Sequence, residues 1–242
     1  MKTWIYAKRN LIELINDPLS LIFTIVLPAF LLVFMVSLNK SLGINESFII
    51  ENFLPAMIIF SFSFLTLFSG ILISKDRTSS FLSRMFVSPM KPIHYILGYM
   101  IPMFFIAMVQ ALILYGIGII MGLPLTIHLI ASIPFLLLVS LLFISMGILF
   151  GSLFKDQQVG PIASIMVQIV AFMSGMWFRL DLVGGAYETI GISLPFYHGV
   201  HLIQSILAGN YSEIVLSLLI VIGYILLVTI FSVIAFKRKM KA

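Results

Sequence analysis

Long apolar runs separated by short polar stretches dominate the chain from Leu19 to Phe236. A hydrocarbon core about 30 Å thick takes about 20 helical residues to cross. By that measure six runs qualify as spans, over about 19–38, 53–73, 96–121, 129–154, 159–178 and 214–236. The third and fourth exceed the requirement, which implies tilt or helix protruding into the interface. Pro28, Pro55, Pro102, Pro134 and Pro161 fall inside the runs or at their edges. Neighbouring helices can tolerate them there by satisfying the backbone groups that proline frees. The pattern predicts an all-α polytopic membrane protein, its six-helix transmembrane domain filling 19–242.

Residues 1–18, MKTWIYAKRNLIELINDP, read differently. Trp4, Ala7, Leu11, Leu14 and Pro18 recur at spacings of three and four, with Ile5 and Ile12 beside them. Lys8, Arg9 and Glu13 lie off that stripe. This predicts an amphipathic interfacial helix anchored by Trp4. A plain extension of the first span is the alternative, and the Asn-Asp-Pro break at its end argues against it. With Glu13 and Asp17 ahead of the first apolar run, no cleaved signal peptide is expected.

Two connections stand out. Residues 75–92, KDRTSSFLSRMFVSPMKP, have helix-start chemistry at Thr78, Ser79 or Ser80 and a cation, Arg84, toward the far end. Phe81, Leu82, Met85 and Phe86 give the short helix an apolar face, and Pro89 and Pro92 close it. Such a helix suits another protein's groove, or lies on lipid as an ordinary basic loop. The second connection, 179–213, contains ISLPFYHGVHLIQSIL, too short and polar to cross and too apolar for a free loop. It predicts a re-entrant helical hairpin broken at Pro195 and Gly199.

Composition and charge add a side. Hydrophobic residues make up 61% and charged residues 10% of the chain, against roughly 25% charged in a soluble domain. Lipid is the solvent that so few charges can satisfy. With both termini in the cytoplasm, twelve of the fourteen basic residues lie inside, and only Lys40 and Arg179 lie outside. Twelve bases against four acids give the inner side +8, and Glu46, Glu51, Asp181, Glu188 and Glu213 leave the outer side −3. That asymmetry accounts for the sequence pI of about 9.5 without nucleic acid as a partner.

Catalytic motifs are missing. There is no GxxxxGK[ST] and no HExxH, and the absence of cysteine removes thiolate chemistry. The predicted spans hold no ionisable group at mid-depth, which argues against proton-coupled carriers and intramembrane hydrolases. His198 and His201, three apart, could share a helical face as metal ligands or an acid–base pair, but packing is the simpler role. His94 and His128 read as interfacial. In-span polarity is confined to amides and hydroxyls, among them Ser61, Ser63, Thr66 and Ser69, then Gln110, then Ser164, Gln168 and Ser174. Phe60, Phe64 and Phe68 form one stripe at spacings of four, and Gln168, Phe172 and Met176 another. Each stripe suits lipid contact or helix packing, or a translocation surface for greasy cargo.

The connection KDRTSSFLSRMFVSPMK resembles the corresponding segment of type 2 ABC transporter permeases (the ABC-2 family) of the daunorubicin-resistance and nodulation-exporter kind. Leu82, Arg84, Val87, Ser88 and Pro89 match that pattern, whereas Ser80 and Ser83 stand where the family carries Gly and Glu. FMSGMWFRLDLVGGAYETIGISLPFYHGVHLI is similar to the family's Ser-Gly-aromatic stretch and external hairpin. The resemblance covers essentially the whole chain.

It implies a permease subunit that is not itself an enzyme. Two such subunits, identical or different, pair in the plasma membrane of a bacterial cell, over two copies of a separate ABC ATPase. ATP and Mg sit on that partner, and this chain binds no cofactor. The coupling helix would engage the ATPase through Arg77, Phe81, Arg84, Met85, Phe86, Ser88 and Pro89, moving spans 2 and 5 near the dimer axis. The implied activity is outward transport of a hydrophobic or amphipathic drug, antibiotic, peptide or lipid-like molecule, as in multidrug resistance. A lipid-linked glycan exporter, a membrane-embedded lipid-modifying enzyme using His198 and His201, and a pore or assembly protein are the alternatives.

Overall fold

A computed structural model describes residues 2–79 and 92–240. Among them there is no strand. The helices are α1 (Lys2–Ile15), α2 (Pro18–Leu21), α3 (Leu27–Leu42), α4 (Ile50–Thr78), α5 (Pro92–Ile120), α6 (Ile127–Leu153), α7 (Asp156–Met173), α8 (Leu180–Val183), α9 (Gly185–Ser193), α10 (Pro195–Leu207) and α11 (Ile214–Met240). A π-helical turn, Ile22–Val26, joins α2 to α3 in one continuous rod. Asp17 starts that rod, its carboxylate accepting from the Leu19 N–H and the Ser20 hydroxyl.

Five helical segments are long and apolar enough to cross a membrane: Pro18–Leu42, α4, α5 from Ile93, α6, and Tyr211–Arg238 around α11. The fifth predicted run is helical too, as α7, but its first turn is Asp156-Gln157-Gln158. The helix then stops at Met173, because Ser174 caps it and Gly175 adopts a left-handed φ of +79°. From Val159 to Met173 an α-helix rises only about 22 Å, short of a hydrocarbon core.

Of the five segments, α4 lies deepest, with 83% of its apolar window buried against 28% for both Pro18–Leu42 and Tyr211–Arg238. Small residues let its neighbours approach. A Cβ on Gly151 of α6 would meet the Gly70 carbonyl at 2.6 Å, and one on Gly147 would meet the Thr66 carbonyl at 2.8 Å. Both obstacles are backbone, so neither can move aside. This is close helix approach through small residues, the device that lipid-embedded helices use when apolar burial no longer drives association. Thr66 reinforces it, its hydroxyl donating to the Phe143 carbonyl at 2.8 Å.

The prolines show how freed carbonyls are satisfied. Pro28 cannot supply the N–H that would bond the Thr24 carbonyl four residues earlier, and the rod there takes its π turn. Gln110 of α5 donates to that carbonyl through Nε2 at 2.9 Å. Pro102 likewise removes the donor for the Gly98 carbonyl, and Asn10 of α1 donates to it at 3.0 Å. Each of these two prolines thus recruits an amide from another helix. Gln110→Leu should lower stability by about 1 kcal/mol, read as a lower unfolding midpoint in detergent. In a Pro28→Ala background, where position 28 regains its N–H, the same change should cost measurably less.

Candidate coupling site

The predicted coupling segment leaves α4 at its carboxyl end and enters α5 at its start. Phe81, Leu82, Arg84, Met85, Phe86, Val87, Ser88 and Pro89 lie outside the described residues. Both flanks of the segment are described. The last turns of α4 carry Lys75, Asp76 and Arg77, three consecutive charges that a helix sends in three directions.

Asp76 points inward and is 2% exposed. Its carboxylate accepts from Arg9 Nη1 at 2.6 Å and Arg9 Nη2 at 2.9 Å, and from the Tyr99 hydroxyl at 2.9 Å. The Tyr6 hydroxyl donates to it at 3.3 Å. Arg9 and Tyr6 belong to α1, Tyr99 to α5. A buried carboxylate is tolerable only when paired and hydrogen-bonded, and here two other helices supply the donors. Gly98 makes room, since a Cβ there would strike the Tyr6 ring at 2.2 Å.

Arg77 turns to the other side and donates to the carbonyls of Ser152 and Phe154. These are among the last carbonyls of α6, which have no helical partner of their own. Ser74 donates to Asp156 at the start of α7 at 3.1 Å. Lys75, toward solvent, pairs with Glu13 at 3.2 Å. The root of the segment is therefore bonded to α1, α5, α6 and α7 at once.

On α1 the apolar stripe read from sequence divides. Tyr6, Ala7, Asn10 and Leu14 are buried against the bundle, while Trp4, Ile5, Ile12 and Ile15 form an exposed arc around Lys8. Trp4, 65% exposed, faces away from Ala7 and Leu14. The helix has two working faces because Asn10 and Tyr6 find hydrogen bonds in the bundle that outweigh their polarity.

The two membrane stripes also part. Phe60 and Phe64 are buried, with ring centroids 5.3 Å apart, and Phe68 is half-buried. Ser61 and Ser63 bond back to carbonyls of their own helix. On α7, Gln168 and Phe172 are exposed, as is Ser164. Met176 lies past the end of that helix, turned away by Gly175 and 1% exposed, so it leaves the row of Gln168 and Phe172. The helices α4 and α7 pack side by side, Gly70 against Val159.

A family model described as ABC-2 family transporter protein matches residues 39–234. The chain belongs to the ABC-2 transporter family. No curated protein matches it. As an ABC-2 chain it is a transporter's membrane component, and the match spans α4 to most of α11 together with the two connections that the sequence singled out. Arg9 and Tyr6 lie ahead of the matched residues, and Asp76 and Tyr99 lie within them.

In this ABC-2 protein the hairpin between α7 and α11 is the chain from α8 to α10. His198 Nε2 lies 2.8 Å from the Ile192 carbonyl and must donate to it, so its Nδ1 accepts from the Ser217 hydroxyl at 3.2 Å. Ser217 then accepts from His201 Nδ1, also at 3.2 Å. The histidine pair therefore fastens α10 to α9 and α11, and no cluster of three metal-ligating side chains occurs among the described residues. Both histidines already engage that seryl hydroxyl, and His201 Nε2 lies 3.8 Å from the Glu213 carboxylate.

Asp76, Tyr6, Arg9, Asn10 and Tyr99 were not legible as a site. The one signal was an acid placed where an apolar run ends between two bases. Asp76→Asn removes the charge that three donors address and should cost about 1–3 kcal/mol. Hydrogen exchange over residues 2–15 should accelerate while α6 stays protected. Burial lowers the pKa of His198 below its ordinary value, against a smaller opposing effect of the Ile192 bond. The unfolded hairpin therefore binds more protons as pH falls below about 6.5, and stability is lost from there down toward the lowered folded value. Proteolysis within α9–α10 should be faster at about pH 5.5 than at about pH 7.5, and His198→Gln should flatten that dependence.

Proposed function

We propose that this ABC-2 protein is the permease subunit of an ATP-driven exporter, with the run from Val159 to Phe178, of which α7 is the helical part, as a sixth crossing element and both termini in the cytoplasm of a bacterial cell. Two permease subunits pair in the plasma membrane, and two copies of a separate ABC ATPase dock beneath them. ATP and Mg belong to the ATPase, and this chain binds no cofactor. The cargo is a hydrophobic or amphipathic molecule (drug, antibiotic, peptide or lipid-like), moved outward.

The observation that carries this reading is the bonding at the root of the coupling segment. A push on residues 80–91 reaches Asp76 and Arg77 directly, and through them the ends of α1, α5, α6 and α7. An isolated basic loop needs no such fastening, whereas a lever does. Phe81, Arg84, Met85, Phe86, Ser88 and Pro89 are the contacts offered to the ATPase, with Arg77 as their anchor to the bundle. Gln168 and Phe172, exposed on α7, are offered to the second subunit or to cargo, whereas Phe60, Phe64 and Met176 are buried within this subunit and Phe68 is half-buried. Trp4 and its exposed arc hold α1 in the headgroup layer.

The test is co-purification in mild detergent. A subunit carrying a Walker motif should accompany the wild-type chain, and Arg84→Glu with Phe86→Ala should reduce its recovery by about tenfold or more, as expected of interface hot spots. The chain lacks cysteine, so a single cysteine at Ser83 should react with impermeant maleimide only after the membrane is opened. Labelling from the outer face, or recovery of the ATPase undiminished by the double substitution, would overturn the proposal.

A further inference from the structure

Helix α11 has two opposite faces. Val221, Ile225, Val228, Ser232 and Phe236 are buried against the bundle. Leu216, Leu219, Leu227, Ile230 and Ile234, each between 42% and 66% exposed, run down the other side at helical spacing. Arg238, four residues past Ile234, continues that row with Lys237 beside it, and both are exposed.

These cations sit at the clamp end of the bundle, since the Phe236 ring lies 6.5 Å from that of Tyr99. The acids there are already engaged. Glu13 holds Arg9 and Lys75, and Asp76 holds Arg9 and two tyrosines. Asp156 accepts from Ser74, and Asp17 starts its own helix. Lys237 and Arg238 have no ion pair among the described residues. No acid occurs in α11 itself, and the sequence adds Lys239 and Lys241 beside them.

We propose that this face of α11 binds an anionic phospholipid, the apolar row taking an acyl chain and the cations taking the phosphate. From Leu227 to Arg238 the helix rises about 16 Å, one leaflet of a hydrocarbon core about 30 Å thick. Chain and headgroup therefore meet their partners together. A basic cluster directly beyond a membrane span attracts anionic headgroups, each cation adding about fivefold in affinity. A soluble partner would satisfy the charges but has no use for the apolar row that leads to them. The four bases lie past the residues 39–234 that define the family match, and the inference needs neither an ATPase nor a cargo.

Quenching of tryptophan by brominated lipid tests the site. Trp4→Phe with Trp177→Phe removes both native tryptophans, and Ile230→Trp places one on the row, about 12 Å from Arg238 along the helix. This chain is reconstituted in nanodiscs of phosphatidylcholine with a minor share of brominated phosphatidylglycerol or, separately, brominated phosphatidylcholine. The brominated phosphatidylglycerol should occupy the position beside residue 230 about fivefold or more better than its neutral counterpart. With Leu219→Trp in place of Ile230→Trp, about 28 Å from Arg238, the two lipids should quench alike.

Lys237→Gln, Arg238→Gln, Lys239→Gln and Lys241→Gln together should abolish the preference at 230. Molar salt, which cuts the screening length to about 3 Å, should weaken it with every lysine and arginine in place. The chain with both native tryptophans, in neutral detergent, should retain phosphatidylglycerol over phosphatidylcholine by native mass spectrometry. Equal quenching by the two lipids at 230, the same preference at 219, or a preference that survives neutralisation sinks the proposal. Absence of lipid preference together with loss of a co-purifying ATPase on neutralisation would instead assign the bases to that partner. Failure of the lipid site leaves the exporter reading standing, because no lipid readout involves the ATPase.

Discussion

In hydrocarbon a backbone carbonyl that loses its helical donor has no water to turn to, and each one left bare costs as much as a lost hydrogen bond or more. The arrangement of this protein follows from that constraint. Pro28 frees Thr24, and Gln110 must come to it. Pro102 frees Gly98, and Asn10 must come to it. The carbonyls at the end of α6 take the guanidinium of Arg77. In each case the donor sits on a different helix, so satisfying a local need fixes a long-range neighbour.

The same logic explains why charge collects at one end of α4. Asp76 is too deep to be solvated, and Arg9, Tyr6 and Tyr99 surround it. A clamp of this kind is strong in one respect and fragile in another. Its donors hold two helices, α1 and α5, to a carboxylate on a third, but truncating any member strands a buried polar group. That combination suits a joint that transmits displacement, because the helices it binds cannot drift apart without breaking charged bonds. The glycine contacts of α4 with α6 do the corresponding work at mid-depth, where no charge is affordable and shape alone must hold the pair.

At the opposite end the chain behaves otherwise. The hairpin is held by bonds from His198 to Ile192 and from both histidines to Ser217, with an exposed ion pair between Arg179 and Asp181. One end of the bundle buries its charge in a clamp, and the other carries its ion pair at the exposed surface.

The hydrophobic pattern by itself determined that the chain is helical and membrane-embedded, the approximate extent of its long helices, the amphipathic leader and the break before Pro195, whereas the second break expected at Gly199 is absent because α10 runs unbroken from Pro195 to Leu207. These follow from the period and length of apolar runs, which lipid thickness reads directly. Only the tertiary structure decided which polar residues matter. Asn10 looked like one more polar residue on a leader helix, Asp76 like a charge in a basic loop, and Met176 like a continuation of the Gln168 row until Gly175 turned the chain. Period and length are properties of one segment, and hydrogen-bond partners belong to pairs of segments that sequence order does not bring together.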